Sequence, residues 1–214
     1  MLNTAASGIK ALMKFTAFDL ETTGIHPKTD AIVEIGAVRF DGTEPLDTFC
    51  TLINPGRPIP PEASAVNGIT DEMVADQPTV ENVLADLAEF CGDLPLVAHN
   101  APFDFKFLLN AVETHKTKAP AGTVLDSCAL ARILFPGMIN YKLGTLVNHF
   151  GFPPGDFHRA EIDSVHCGRL FAKIVESLEK GGQSASVPAL LDLTKQTLMK
   201  FPQYPDQPRQ LGLF

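Results

Sequence analysis

The chain has 214 residues, 45% of them apolar, enough to fill the core of one globular domain and too few for two full ones. Its formal net charge of −8 excludes a broad basic face that grips nucleic acid through counterion release. No apolar run approaches membrane-spanning length, and Lys10 and Lys14 interrupt the N-terminal MLNTAASGIKALMK, so the chain reads as soluble, unexported and cytoplasmic, with no membrane partner.

Residues 15–21 alternate so that Ala17, Asp19 and Glu21 share one face of a strand while Phe18 and Leu20 share the other. Residues 31–40 and 47–53 are two further strand-like runs joined by short polar turns, which predicts an antiparallel meander. The Pro-rich INPGRPIPPEASAVNGITDEM reads as a long loop with short helical turns, near the active face. After Pro78, the positions Val80, Val83, Leu84, Leu87 and Cys91 recur at helical spacing, and Gly92 is placed to end that helix. LPLVAH is a buried strand, and Asn100 and Pro102 open a helix with Asp104, Phe107, Leu108 and Ala111 on its inward side. TVLDS is a short strand, Ser127 to Phe135 a short helix, and Leu143, Leu146, Val147 and Phe150 mark another before Gly151. A last long helix runs from about Arg159 to Lys180, with Ala160, Asp163, Cys167, Leu170, Ile174 and Leu178 as its inward stripe. Gly181 and Gly182 stop it, so the division expected is an extension over 1–14, a compact domain over 15–182 and a C-terminal part over 183–214. That part holds an amphipathic helix from Pro188 to Lys200 and then an extended, Pro-bearing FPQYPDQPRQLGLF. Cys50, Cys91, Cys128 and Cys167 form no metal-type cluster and read as buried thiols in a reducing compartment.

Asp19, Glu21, Asp104 and Asp163 interrupt faces that should be apolar, and none of those inward faces offers an obvious Lys or Arg partner. Buried carboxylates of that kind are costly unless a cation neutralises them. Hard divalent ions favour such oxygens, and two Mg²⁺ or Mn²⁺ ions about 3.5–4 Å apart drive in-line displacement at phosphorus. His158 lies a turn and a half before Asp163, and a neutral imidazole with a pKa of about 6.5 is suited to take a proton from an attacking water.

DLETTG, HNAPFDFKFL and YKLGTL…HRAEIDS, in this order and spacing, resemble the three motifs of the DEDDh family of 3′→5′ exonucleases, within it the proofreading epsilon subunits of bacterial DNA polymerase III. The resemblance covers about residues 14–180. It implies a ribonuclease-H-like α/β fold: a five-stranded mixed sheet, an antiparallel meander plus parallel strands, flanked by helices. It also implies that Asp19, Glu21 and Asp163 hold one metal, that Asp19 with Asp104 serves the other, and that His158 is the general base. Thr22, Thr23, Asn100 and Phe103 are then expected at the 3′-terminal nucleotide of a single DNA strand. Asn67-Gly68-Ile69-Thr70 departs from the family's usual His at its first position, and Glu161 stands where a leucine is common. Gln210, Leu211, Leu213 and Phe214 resemble the peptide by which bacterial polymerase partners dock on the sliding clamp, an amide and apolar anchors on an extended tether.

The leading expectation is therefore a DNA 3′→5′ exonuclease that proofreads or trims, recruited by the clamp and working beside a replicative polymerase. Two alternatives stand beside it: an exoribonuclease of the same family, and a non-catalytic scaffold for polymerase or clamp.

Overall fold

A computed structural model describes residues 13–153 and 159–205. Five strands, β1 Lys14–Thr22, β2 Ile32–Asp41, β3 Glu44–Leu52, β4 Leu96–Ala98 and β5 Val124–Asp126, form one sheet in the order β3-β2-β1-β4-β5. The helices among the described residues are α1 Pro61–Asn67, α2 Asp71–Val74, α3 Val80–Cys91, α4 Pro102–His115, α5 Ser127–Leu134, α6 Leu143–Phe150, α7 Ala160–Lys180 and α8 Val187–Thr194. The meander β1-β2-β3 is antiparallel, while β4 joins β1, and β5 joins β4, in parallel. Parallel neighbours need a crossover, and α4 supplies the one between β4 and β5.

β2 is buried along nearly its whole length because helices cover both sides of the sheet, and its sequence, IVEIGAVRFD, is correspondingly apolar. Phe18, Leu20, Ile35 and Ala37 face a layer made by α3 and α4; Phe15, Ala17, Val38 and Phe40 face α5, α7 and α8. On that second side Phe15 stacks on Phe40 at 5.1 Å and meets the edge of Phe171 at 4.8 Å. β3 is the free edge, largely exposed, with Pro45, Glu44 and Asp47 of the kind that discourage further pairing.

Two glycines set how closely α7 lies on the sheet. A Cβ at Gly36 would overlap the Ala160 backbone, and one at Gly168 would overlap the Phe40 ring. The Ser164 hydroxyl uses the closeness to donate to the Gly36 carbonyl at 2.9 Å. The first turn of α7 is thus fixed over the middle of β2.

Several boundaries differ from those read in the sequence. β3 begins at Glu44 rather than 47, because Gly42, at φ 62°, closes a two-residue turn between Asp41 and Glu44. Pro45 masks the strand in the sequence, yet an edge strand tolerates its missing donor. Cys50 lies on this edge and is exposed, unlike the other three cysteines. The C-terminal helix stops at Thr194 instead of Lys200, with Lys195 at φ 53° turning the chain back. Met199 then bridges Val124 on the outer side of β5, and Met199 and Phe201 are buried in the α3–α4 core with Tyr204 packed against it. The packing therefore continues past Gly182, and the extended segment expected from residue 201 is docked as far as Tyr204. Among the described residues, no helix is long and apolar enough to cross a membrane.

Candidate active site

β1 outruns β4. Their pairing runs over Thr16↔Leu96 and Ala17↔Val97, and β4 ends at Ala98, so the last third of β1 lies beyond the parallel ladder. The Leu20 N–H there is taken up by the Asp104 carboxylate, which also accepts from its own backbone N–H at the start of α4. That helix start is set by Asn100, held at φ 69° with its N–H donated to Asp126 Oδ1 at 3.1 Å, and by Pro102 in the first turn. Asp104 is buried at the point where α4 meets the free end of β1.

In the antiparallel pairing of β1 with β2, Asp19 lies beside Gly36 and Glu21 beside Glu34. Because a residue at Gly36 needs no side-chain space, α7 brings Asp163, in its first turn, down to the same spot. Carboxylate oxygens of Asp19, Glu21 and Asp163 all lie within 4.8 Å of one another.

The electrostatics follow from that crowding. Burial first, then the charges of Asp104, Asp163, Glu21 and Glu34, hold the Asp19 carboxyl well above the usual carboxylate range. Glu21 is pushed up to about 7 by burial, with Asp163 and Glu34 adding to it, against a hydrogen bond from Asn67 and the charge of Arg159. Asp104 is pushed up to about 8, chiefly by burial, against its two backbone hydrogen bonds. An all-oxygen donor set whose members repel one another is what a hard divalent cation satisfies, so the residues fit such an ion.

Glu34 and Arg159 take part in the site without having been expected there. Glu34, completely buried on β2, receives the Arg159 guanidinium at 2.8 Å and the Ala160 N–H at 2.9 Å. It therefore caps α7 and holds Arg159, whose charge lowers the Glu21 pKa, while its own charge raises both Glu21 and Asp19. Its only signal in the sequence is a Glu inside an otherwise apolar strand, a feature that periodicity alone discards as noise.

Of the four expected acids, Asp19, Glu21 and Asp163 come within 4.8 Å of one another, and Asp104 lies close enough for its charge to raise Asp19. The Thr23 hydroxyl is occupied within the protein, accepting from Ala31 N–H at 2.9 Å, and the Thr22 hydroxyl donates to the Gly24 carbonyl at 2.6 Å. Asn100 is exposed at the site, whereas Phe103 is partly buried against Phe107, 5.0 Å between ring centres. Asn67, from the long loop, reaches the site strand by donating to the Thr22 carbonyl at 3.4 Å. His99 bonds at both ring nitrogens, to Ser127 Oγ at 2.9 Å and the Tyr141 carbonyl at 2.7 Å. Burial lowers its pKa, the behaviour of a framework histidine. His158 and the four C-terminal anchors, Gln210, Leu211, Leu213 and Phe214, lie outside the described residues.

A mixed sheet of this order, with acids meeting from its first strand and from two helices, defines an exonuclease of ribonuclease-H-like fold. Residues 16–171 match the exonuclease family RNase_T, and the chain belongs to that family. Within it, the chain is a 3′→5′ exonuclease of the epsilon type. DNA polymerase III subunit epsilon of Treponema pallidum is 41% identical over 163 residues, which span 75% of this chain and 76% of that protein. The DNA polymerase III PolC-type of Bacillus subtilis is 39% identical over 174 residues, 79% of this chain but 12% of that much longer polymerase. Among solved structures, Exonuclease X in complex with 5′ overhanging duplex DNA matches with a TM-score of 0.67 and 31% identity over 84% of this chain and 99% of its own.

Proposed function

We propose that the protein removes nucleotides one at a time from the 3′ end of a DNA strand, as a proofreading or replication-associated repair exonuclease that depends on two Mg²⁺ or Mn²⁺ ions. The observation that carries this is the meeting of Asp19, Glu21 and Asp163 within 4.8 Å, with the charge of Asp104 raising Asp19 further. Asp19, Glu21 and Asp163 would hold one ion and Asp19 with Asp104 the other; bound there, the pair supplies charge neutralisation at phosphorus and lowers the pKa of water.

The chain's own residues do the rest. Asp104, anchored by the Leu20 N–H, fixes the end of β1 against α4, so the carboxylates are set before substrate arrives. His158 takes the proton of the attacking water as its oxygen bonds to the terminal phosphorus. The bond from phosphorus to the neighbouring 3′ oxygen breaks and that oxygen takes a proton from solvent water, leaving a shortened strand with a 3′ hydroxyl and a free nucleoside 5′-monophosphate. Thr22, Thr23 and Asn100 line the edge where the terminal nucleotide would lie, through backbone groups where the threonine hydroxyls are already engaged. Recruitment would come from Gln210, Leu211, Leu213 and Phe214 on a sliding clamp, beside a replicative polymerase.

DNA rather than RNA is favoured by the relatives, which are DNA polymerase subunits and a DNA-bound exonuclease. The test is digestion of 3′-labelled single-stranded DNA and RNA of equal sequence with Mg²⁺, Mn²⁺ or EDTA. Release of labelled monophosphate from DNA, abolished by EDTA, is expected. Activity that survives EDTA would overturn the metal assignment, and a preference for RNA would make the protein an exoribonuclease.

A further inference from the structure

The cleft that contains Asp19 and Asp163 does not close behind them. One concavity of about 540 Å³ runs from these two acids past His99 to Lys142, Gly144 and Thr145. A second, of about 560 Å³, shares His99, Lys142 and Leu143 with it and continues to Asn140, Tyr141 and Arg132. Among the described residues, the acids lining this combined groove are Asp19 and Asp163 at its inner end; the outer end carries Lys142 and Arg132. In a chain of net charge −8, two cations in one groove without an acid beside them among the described lining are out of keeping with the rest of the molecule.

Nor is this a loose surface. The backbone that presents Lys142 is tied down at three points: His99 Nε2 and the Cys128 thiol both donate to the Tyr141 carbonyl, at 2.7 and 3.5 Å, and the Tyr141 hydroxyl donates to the Phe135 carbonyl at 2.9 Å. The Lys142 N–H closes a turn on the Asn140 side chain at 3.0 Å. Arg132 lies over the Tyr141 ring, 4.9 Å from its centre, so the same tyrosine that anchors the loop orients the guanidinium. His99 thereby links β4, at the inner end, to the cationic loop at the outer end.

We propose that Lys142 and Arg132 form a phosphate track for the body of the strand whose 3′ end occupies the carboxylates. This rests on the exonuclease reading and adds to it a path for the substrate. A polyanion drawn toward four carboxylates needs local positive charge to offset repulsion, and a guanidinium and an ammonium held along one groove give phosphates two successive contacts. The track serves phosphates upstream of the cut bond, so its contribution grows with strand length and vanishes for a substrate that has none.

The test compares wild type with Lys142→Ala, Arg132→Ala and Lys142→Arg on two substrates, the nitrophenyl ester of thymidine 5′-monophosphate and single-stranded oligonucleotides of two to eight nucleotides. For each alanine variant the fall in kcat/KM is expected to be at least tenfold greater on the longer oligonucleotides than on the ester and to appear mainly in KM, while Lys142→Arg keeps most of the wild-type value. The slope of log affinity against log salt for the oligonucleotide, read by fluorescence anisotropy, should become shallower by about 0.7 for each cation removed. Equal falls on ester and oligonucleotide, or unchanged strand affinity and salt slope, would overturn the track. A wild type that cleaves neither substrate would instead overturn the exonuclease reading, while the anisotropy measurement still decides the track.

Discussion

At the scale of single residues, the site sets chemistry against stability. Asp19 and Asp163 lie among like charges, so Asp19→Asn or Asp163→Asn should lower hydrolysis by on the order of 10³ or more, since metal-assisted stabilisation amounts to several kcal/mol. In EDTA near neutral pH the same variants should unfold at a higher temperature than wild type, because a repulsive charge has gone. If both activity and unfolding temperature fell, these acids would be part of the packing rather than ligands. Glu34 behaves oppositely, being satisfied by Arg159 and the Ala160 N–H. Glu34→Ala should cost about 1.5–3 kcal/mol in denaturant unfolding, the range for hydrogen bonds to a charged group, moderated because Arg159 can turn to water. Glu34→Gln, which keeps an acceptor for α7, should recover part of it; equal costs in the two variants would place the contribution in the ion pair alone.

At the scale of elements, the placement of α7 depends on the absence of a side chain at Gly36. Gly36→Ala must push the Ala160 turn away from β2, at about 1–3 kcal/mol for overpacking, and carry Asp163 with it. Hydrolysis should fall more than stability does, as measured by turnover beside the unfolding midpoint; retained turnover with reduced stability would mean that Asp163 tolerates a shift of its helix. This dependence shows what a sequence can and cannot reveal. The inward stripes of α4 and α7, with Asp104 and Asp163 breaking them, are legible because helical period exposes an acid on an apolar face. The strand alternation of β1 is legible for the same reason. Gly36 and Glu34 are not, since β2 is covered on both sides and a strand without alternation carries no sign of which residue touches what. The docking of Met199 and Phe201 is hidden too: an irregular segment full of prolines has no period, and its burial depends on the outer side of β5 being open to receive it.

At the scale of the whole molecule, two tests apply. Deleting Gln210 to Phe214 should leave digestion of free single-stranded DNA as it is and reduce affinity for a bacterial sliding clamp, since tethering raises local concentration without touching the cleft. Equal clamp affinity of the truncated and intact chains by calorimetry would remove the recruitment proposal. The second concerns pH. Glu21 and Asp104 titrate near 7 and 8 in the folded protein against ordinary values of 4.5 and 3.8, so between roughly pH 4 and 8 the folded state binds more protons than the unfolded one. The slope of unfolding free energy with pH is therefore negative there: the contribution of these groups is fully present below about pH 4 and disappears as pH rises through their folded values. In EDTA the unfolding temperature should decline from pH 5 to pH 8. Mn²⁺ or Mg²⁺ competes with those protons, so its stabilisation should be larger at pH 8 than at pH 5, and about 2.7 kcal/mol when the ion is at a hundred times its dissociation constant. Asp104→Asn should flatten the decline in EDTA, because it removes one of the groups whose proton uptake produces it. A melting temperature in EDTA that does not change between pH 5 and 8, or metal stabilisation that is equal at both, would mean that these carboxylates are already neutralised within the fold and are not waiting for a cation.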